Sequence, residues 1–358
     1  TSGLLTTATE LRDALAGVSL PLQVHGADEA RAEFAPTATQ PADPVARLTA
    51  RLQMSGAQIL AIDAGQPVLD LDAPILELVP EFTLADGREA EVTARGLLSH
   101  SSGLPDVSDY GWHDPQLGDH ALSEFARSLS DWRLAADPGS THSYSNAGYI
   151  AAGRLVELVT GMTWQEAVQA LLLDPLGTEP AFLGEPAPPP PRAVGHAVNT
   201  ATGRLRPTHQ NLAPVEAPAG ALLAGALDLV DIGRALAGRS AVLPPGLAAR
   251  MRRPEPGAAP GALADGWGLG VALFDQDGQR WCGHDGNAQG TSCHLRVEPE
   301  SGVVVAFTGN SGGATKLWRD LVDDLSRLTG ARVPTAPAPA GRSSAWTPSS
   351  GWQFTRGA

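Results

Sequence analysis

The sequence predicts an α+β fold. Three observations carry the prediction. Apolar residues recur at helical spacing through the middle of the chain, four strand-period segments follow Trp267, and one amphipathic helix follows the strands.

In chain order, Glu10–Ala16 reads as a short helix and Ser19–Val24 alternates like a strand. Three prolines in Pro36–Pro44 break both patterns. Val45, Leu48, Leu52, Ile59 and Ile62 then lie near helical spacing, which predicts a helix over Val45–Ala64 stopped at Gly65. Leu69–Pro74 is a turn-like exit, and Val92–Leu98 a second helix with Thr93 near its start. Asp106–His120 reads as a loop, Leu122–Leu129 as a helix, and Pro138-Gly139 as a turn. Ala147–Thr160 is a strongly apolar helix ending at Gly161. Thr163–Leu173 is another, opened by the capping-box pair Thr163 and Glu166. Pro188–Pro191 is a rigid connector, and Ala226–Ala237 a helix ended by Gly238. Leu269–Asp275, Gln279–Cys282, Thr291–Val297 and Val303–Thr308 are the strands, with turns at Asp277-Gly278 and Glu300-Ser301-Gly302. Thr315–Leu328 closes the unit. Residues 1–332 are expected to form one domain, with a sheet lobe from the N-terminus and about 265–328 and a helical lobe over about 75–225. Residues 333–358 read as a Pro/Ala/Ser-rich tail, where Trp346 and Trp352 suggest docking.

Composition narrows the function. The 358 residues carry 25 Lys+Arg against 39 Asp+Glu, a net charge of −14. Phosphate contacts need a basic face, so nucleic acid and anionic membrane are poor partners. No run of about 18 apolar residues offers a membrane span. Thr1–Thr9 lacks a basic and an apolar signal region, which points to the cytoplasm. Cys282 and Cys293 give no metal signature; they read as two small buried apolar residues, with pairing across a hairpin as the alternative. No cofactor is implied. Lys316 is the only lysine, so any chemistry needing an amine must use it or do without.

Three segments carry chemistry. In Tyr144-Ser145-Asn146, just before an apolar helix, a hydroxyl can relay a proton and an amide can hold a carbonyl. In His284-Asp285-Gly286, at the expected end of a strand, an imidazole precedes a glycine that lets backbone approach a ligand. The third is Leu97-Leu98-Ser99-His100-Ser101-Ser102-Gly103-Leu104-Pro105, whose polar groups suit a buried turn.

Together and in this order, these segments resemble the penicillin-recognising serine hydrolases: class C β-lactamases, DD-peptidases and related esterases. "LLSHSSGLP", "PGSTHSYSNAGYIAAGRLVELVTGMTW", "GWGLGVALF", "GHDGNAQGTS" and "VEPESGVVVAFTGNS" carry the likeness, over about residues 58–328. The resemblance implies a β-lactamase/transpeptidase-like fold: an antiparallel sheet flanked by helices, plus a helical lobe. It also implies Tyr144, Asn146 and His284 as catalytic residues, and Ser145, Asp285, Gly286 and Arg51 as substrate-binding ones.

That family acylates the serine of a Ser-x-x-Lys turn. Here no Ser-x-x-Lys exists. Reading back from Asp63-Ala64-Gly65 puts Leu48 and Arg51 at those places, or Gln40 and Asp43 with a two-turn insertion. Leu48 has no nucleophilic atom, and Arg51 stays protonated and cannot be a base, although it can clamp a carboxylate. A free tyrosine ionises at about 10, so Tyr144 without a neighbouring ammonium is expected to donate a hydrogen bond. The expectation is a non-covalent acid/base enzyme acting on a small carbonyl compound, by hydrolysis, cyclisation or rearrangement in natural-product tailoring. The alternatives are a pseudoenzyme that binds a small ligand, peptide or protein, and a hydrolase with a relocated nucleophile such as Ser145 or Cys282.

Overall fold

The computed structural model describes residues 48–49, 70–106, 115–178, 181–182, 193–199, 202–208, 212–261, 263–288, 290–311, 313–336 and 352–353. Leu48–Thr49 (β1) is a strand paired antiparallel with Ala224 and Leu223. The helix expected over Val45–Ala64 is corrected at these two residues. The Leu222–Ala224 segment is buried and its backbone needs ladder partners, which outweighs helical spacing. The rest of that segment, the elements expected before it, Pro188–Pro191 and Trp346 lie outside the described residues.

The helical lobe follows sequence logic closely. Ala94–Leu98 (α1) is capped by Thr93, whose Oγ1 accepts from the Gly96 amide at 3.1 Å. Ala121–Ser128 (α2) precedes Asn146–Thr160 (α3), which stops at Gly161 with φ 70°. Trp164–Val168 (α4) opens with the capping box of Thr163 and Glu166. It then loosens into a π-helical stretch, Gln169–Leu173, before Asp174–Leu176 (α5). Ala181–Phe182 (β2), His196–Asn199 (β3) and Leu205–Pro207 (β4) follow. Next come Ala217–Gly220 (α6), Leu222–Ala224 (β5), Ala226–Leu236 (α7) and Pro245–Met251 (α8).

The sheet lobe contains Gly266–Trp267 (β6), Ala272–Gln276 (β7), Gln279–Ala288 (β8), Thr291–Glu298 (β9) and Val303–Gly309 (β10). They form one antiparallel sheet in the order β10-β9-β8-β7-β6. Asp277 and Gly278, both at positive φ, make the tight β7–β8 turn. Ala314–Thr329 (α9) closes the lobe, and Trp352–Gln353 (β11) pairs with β3.

Two helices sandwich the sheet. On one face α7 lies so close that a Cβ on Gly233 would meet Val304 at 2.5 Å and Leu295 and Val297 at 3.2 Å. On the other, Trp318 of α9 stacks on His294. Leu295, Val297, Cys282 and Cys293 join the main core with the helical lobe. Trp267, Phe274, Trp281 and Trp318 form a second cluster. The fold is thus α+β, antiparallel sheet plus helices, as expected.

Candidate active site

Two backbone segments zip together to build the first wall. After α1 the chain turns at His100, a non-glycine residue at φ 56°. The Ser143 amide donates to the His100 carbonyl at 2.7 Å, and the Gly139 amide donates to that of Ser101 at 2.7 Å. The Ser145 amide donates to His100 Nδ1 at 3.0 Å, so the ring carries its proton on Nε2 when neutral. These bonds press the Tyr144 ring onto the His100 imidazole, with centroids 4.2 Å apart. Tyr149 of α3 locks the base of the wall by donating to the Leu98 carbonyl at 2.9 Å.

Tyr144, Ser145 and Asn146 then diverge. Ser145 caps α3: its Oγ accepts from the Gly148 amide at 3.1 Å and donates to the Pro105 carbonyl at 3.2 Å. Its oxygen is occupied by structure. Asn146 opens α3, with its amide group and its backbone N–H both donating to Asp106 Oδ1, at 3.2 and 2.9 Å.

The second wall is β8. His284 was expected at a strand end, but the strand runs through it to Ala288. Gly286 and Asn287 look like turn residues locally, yet they pair with Cys293 and Ser292 of β9. His284 is buried on the face toward the helical lobe, its centroid 6.4 Å from that of Tyr144 and 5.5 Å from that of Trp267. Among the described residues neither ring nitrogen has a well-formed hydrogen bond. Burial lowers its pKa to about 4, partly opposed by the Asp285 charge beside it. Burial likewise depresses His100 and His142, so three imidazoles around Trp267 favour the neutral form.

The other expected residues are placed as follows. Asp285 turns to the opposite face of the sheet, as strand alternation requires, so the expectation that it meets substrate is corrected. There it accepts from Arg296 at 2.7 and 2.9 Å and pairs with His294 Nδ1 at 2.7 Å. Burial alone would raise its pKa; Arg296 and His294 outweigh burial and hold the carboxyl far below its usual range. Gly286 is buried within the ladder, and Arg51 lies outside the described residues. Cys282 and Cys293 are buried and not joined in a disulfide. In the register Cys282 faces Val297 while Cys293 faces Gly286, so the two thiols are not cross-strand partners. His100, His142 and Trp267 were missed as site residues, because what places them is contact between distant segments, without a local period. Among the described residues no cluster of three His, Cys, Asp or Glu could hold a metal, and no helix is long and apolar enough to cross a membrane.

A buried imidazole and a tyrosine ring thus lie 6.4 Å apart, centroid to centroid, between the antiparallel sheet and the helical lobe. The chain belongs to the beta-lactamase family, whose model matches residues 53–325. Penicillin-binding protein 4 of Amycolatopsis lactamdurans is 36% identical over 291 residues, 78% of this chain and 75% of that one. Esterase EstB of Burkholderia gladioli is 33% identical over 303 residues, 71% of this chain and 76% of that one. The crystal structure of SurE superposes with a TM-score of 0.72 at 33% identity, covering 87% of this chain and 71% of that one. A second SurE structure, with D-Leu, gives 0.69 at 32% identity, covering 87% of this chain and 70% of that one.

Proposed function

We propose that this chain is an acid/base enzyme that hydrolyses a small ester or amide without an acyl-enzyme. The observation that carries the reading is His284, a buried imidazole with both nitrogens unpartnered among the described residues, beside Tyr144. A buried polar group left unsatisfied is destabilising by about 1–3 kcal/mol and calls for a reason, which a reaction partner supplies here.

In the proposed step, a water attacks the carbonyl carbon while His284 takes one of its protons. The new C–O bond pushes the carbonyl electrons onto oxygen, where the Tyr144 hydroxyl and the Asn146 amide donate hydrogen bonds. His284 then returns the proton to the leaving oxygen or nitrogen as that bond breaks. A pKa of about 4 keeps the imidazole in its base form at neutral pH and makes its conjugate acid a strong donor to the leaving group, while making it a weaker base toward water than an ordinary imidazole.

Three facts support a route without a covalent intermediate. The single lysine, Lys316, is exposed on α9 and pairs with Asp320 at 2.6 Å. Ser145 Oγ is spent on capping α3. Burial pushes the Cys282 thiol up to about 12, which removes it as a thiolate nucleophile. Relatives named as an esterase and, for SurE, solved with D-Leu make an ester or amide of a D-amino acid the first substrate to try.

The test is turnover of p-nitrophenyl esters, a chromogenic cephalosporin and D-amino-acid p-nitroanilides by the wild type, Tyr144→Phe and His284→Gln. Each variant should lose about 100-fold or more with its near-UV circular dichroism unchanged. Wild-type rates in both variants would overturn the reading, as would a stable penicillin or fluorophosphonate adduct on the intact mass. A second reading, binding without chemistry, is favoured by the lack of a lysine available to the cleft. Saturable binding of D-leucine with no turnover of any of these substrates would select it.

A further inference from the structure

We propose that Asp285 and Arg296 are a positioning pair that governs His284 from the far side of the sheet. The carboxylate anchors the strand segment that bears His284, and the guanidinium balances the charge placed directly behind the imidazole. The proposal rests on the reading of His284 as the proton-transfer group.

Arg296 is 0% exposed, yet its donors are well used. Nη1 donates to Asp285 Oδ1 at 2.7 Å and to the Leu295 carbonyl at 2.9 Å. Nη2 donates to Asp285 Oδ2 at 2.9 Å, and Nε to the Pro334 carbonyl at 3.0 Å. The guanidinium lies 4.1 Å from the Phe274 ring centroid. His294 completes the cluster, bonded to Asp285 and stacked on Trp318 with planes 4° apart.

Burying an ion pair carries a desolvation penalty that an apolar pair of the same volume avoids. A sheet under an amphipathic helix needs no charge there. This one sits at the residue next to His284 and on the strand that pairs with it. Gly283, opposite Arg296, brings β8 and β9 so close that a Cβ would lie 1.8 Å from the Leu295 carbonyl oxygen. The segment is thus clamped on both sides of His284, by backbone approach at Gly283 and by the ion pair at Asp285. The clamp fixes where the unpartnered ring points.

The pair also brackets the charge on the ring. Among the described residues, the groups facing or flanking His284 are Tyr144, His100 and, beyond it, His142 from the helical lobe. Cys282 and Cys293 share its sheet face, and Asp285 and Arg296 lie behind it. Asp285 favours the imidazolium and Arg296 disfavours it. Removing one or the other should therefore move His284 in opposite directions.

The experiment is a nuclear magnetic resonance titration of the full chain labelled with 13C-histidine, His284 being assigned by its loss in His284→Gln. In Arg296→Gln the His284 midpoint should rise by about 0.5–1 pH unit. In Asp285→Asn it should fall, read as a smaller protonated fraction at pH 4.5. The double variant should return toward the wild type. A pair that only stabilises the fold would lower the melting temperature and either leave the midpoint alone or raise it in both variants, toward the solvent value. Either result overturns the proposal. Should Arg296→Gln not fold, the sign of the shift in the near-isosteric Asp285→Asn decides alone. The titration needs no substrate, so an inactive protein would sink the proposed reaction and leave this test standing. Turnover without opposed shifts would sink the positioning pair alone.

Discussion

The two faces of β8 treat polar groups in opposite ways. On the face toward α9, Asp285 accepts from Arg296 and pairs with His294, and ring stacking holds the cluster. On the face toward the helical lobe, one residue earlier, neither ring nitrogen of His284 has a well-formed hydrogen bond among the described residues. Within the Asp285 cluster the charges are matched and one buried nitrogen, His294 Nε2, lacks a partner among the described residues, whereas His284 lacks one at both nitrogens. Under the proposed function, the contrast is between a group that serves the fold and a group left open for chemistry.

The largest effect should come from breaking the satisfied face. Arg296→Leu leaves the partly exposed Asp285 carboxylate with His294 as its remaining side-chain partner, which should remove about 3 kcal/mol of stability in urea titrations. Replacing both partners, Asp285→Val with Arg296→Leu, should restore most of that loss. A double variant no more stable than Arg296→Leu would contradict the contrast.

The unsatisfied face should respond with the other sign. His284 binds a proton near pH 6.5 when unfolded and only near about 4 when folded, so the unfolded chain takes up more protons between those values. Stability therefore falls as pH drops from about 6.5 toward 4, by up to about 3 kcal/mol from this residue. His284→Phe should flatten part of that slope, leaving the part due to His100 and His142. At pH 7 the variant should be as stable as the wild type or more so, because an unsatisfied group is removed, while turnover is lost. Urea midpoints measured from pH 4.5 to 7.5 check this, and an unchanged slope would count against the burial of a neutral His284.

The smallest effect is expected at Ser145. Ser145→Ala removes the α3 cap and should lower stability by about 1 kcal/mol. Catalysis should fall only as far as Tyr144 moves. An all-or-none loss of turnover at full stability would instead point to Ser145 as a nucleophile.

What could be read from the sequence follows from the range of the forces involved. The α3 stop at Gly161 and the Thr163–Glu166 box depend on residues a few positions apart, and both were legible. The π-helical stretch after α4 has no such local mark. The β8 strand was cut short because Gly286 and Asn287 resemble turn formers, whereas their pairing partners lie across the sheet. Alternation along the longer strand turns Asp285 to the face opposite His284. Tyr144 and His284 were legible as motif residues. Trp267, which touches His100, His142, Tyr144 and His284, was not, because a ring at the end of a two-residue strand has no period to announce it.

The two buried cysteines have a practical use. Both thiols sit inside the main core on the strands that carry His284 and Arg296, and burial keeps Cys282 protonated at neutral pH. An alkylating reagent can reach them only when those strands part. The rate of thiol modification, followed by mass, is therefore an intrinsic gauge of how often β8 and β9 breathe, and it needs neither label nor substrate.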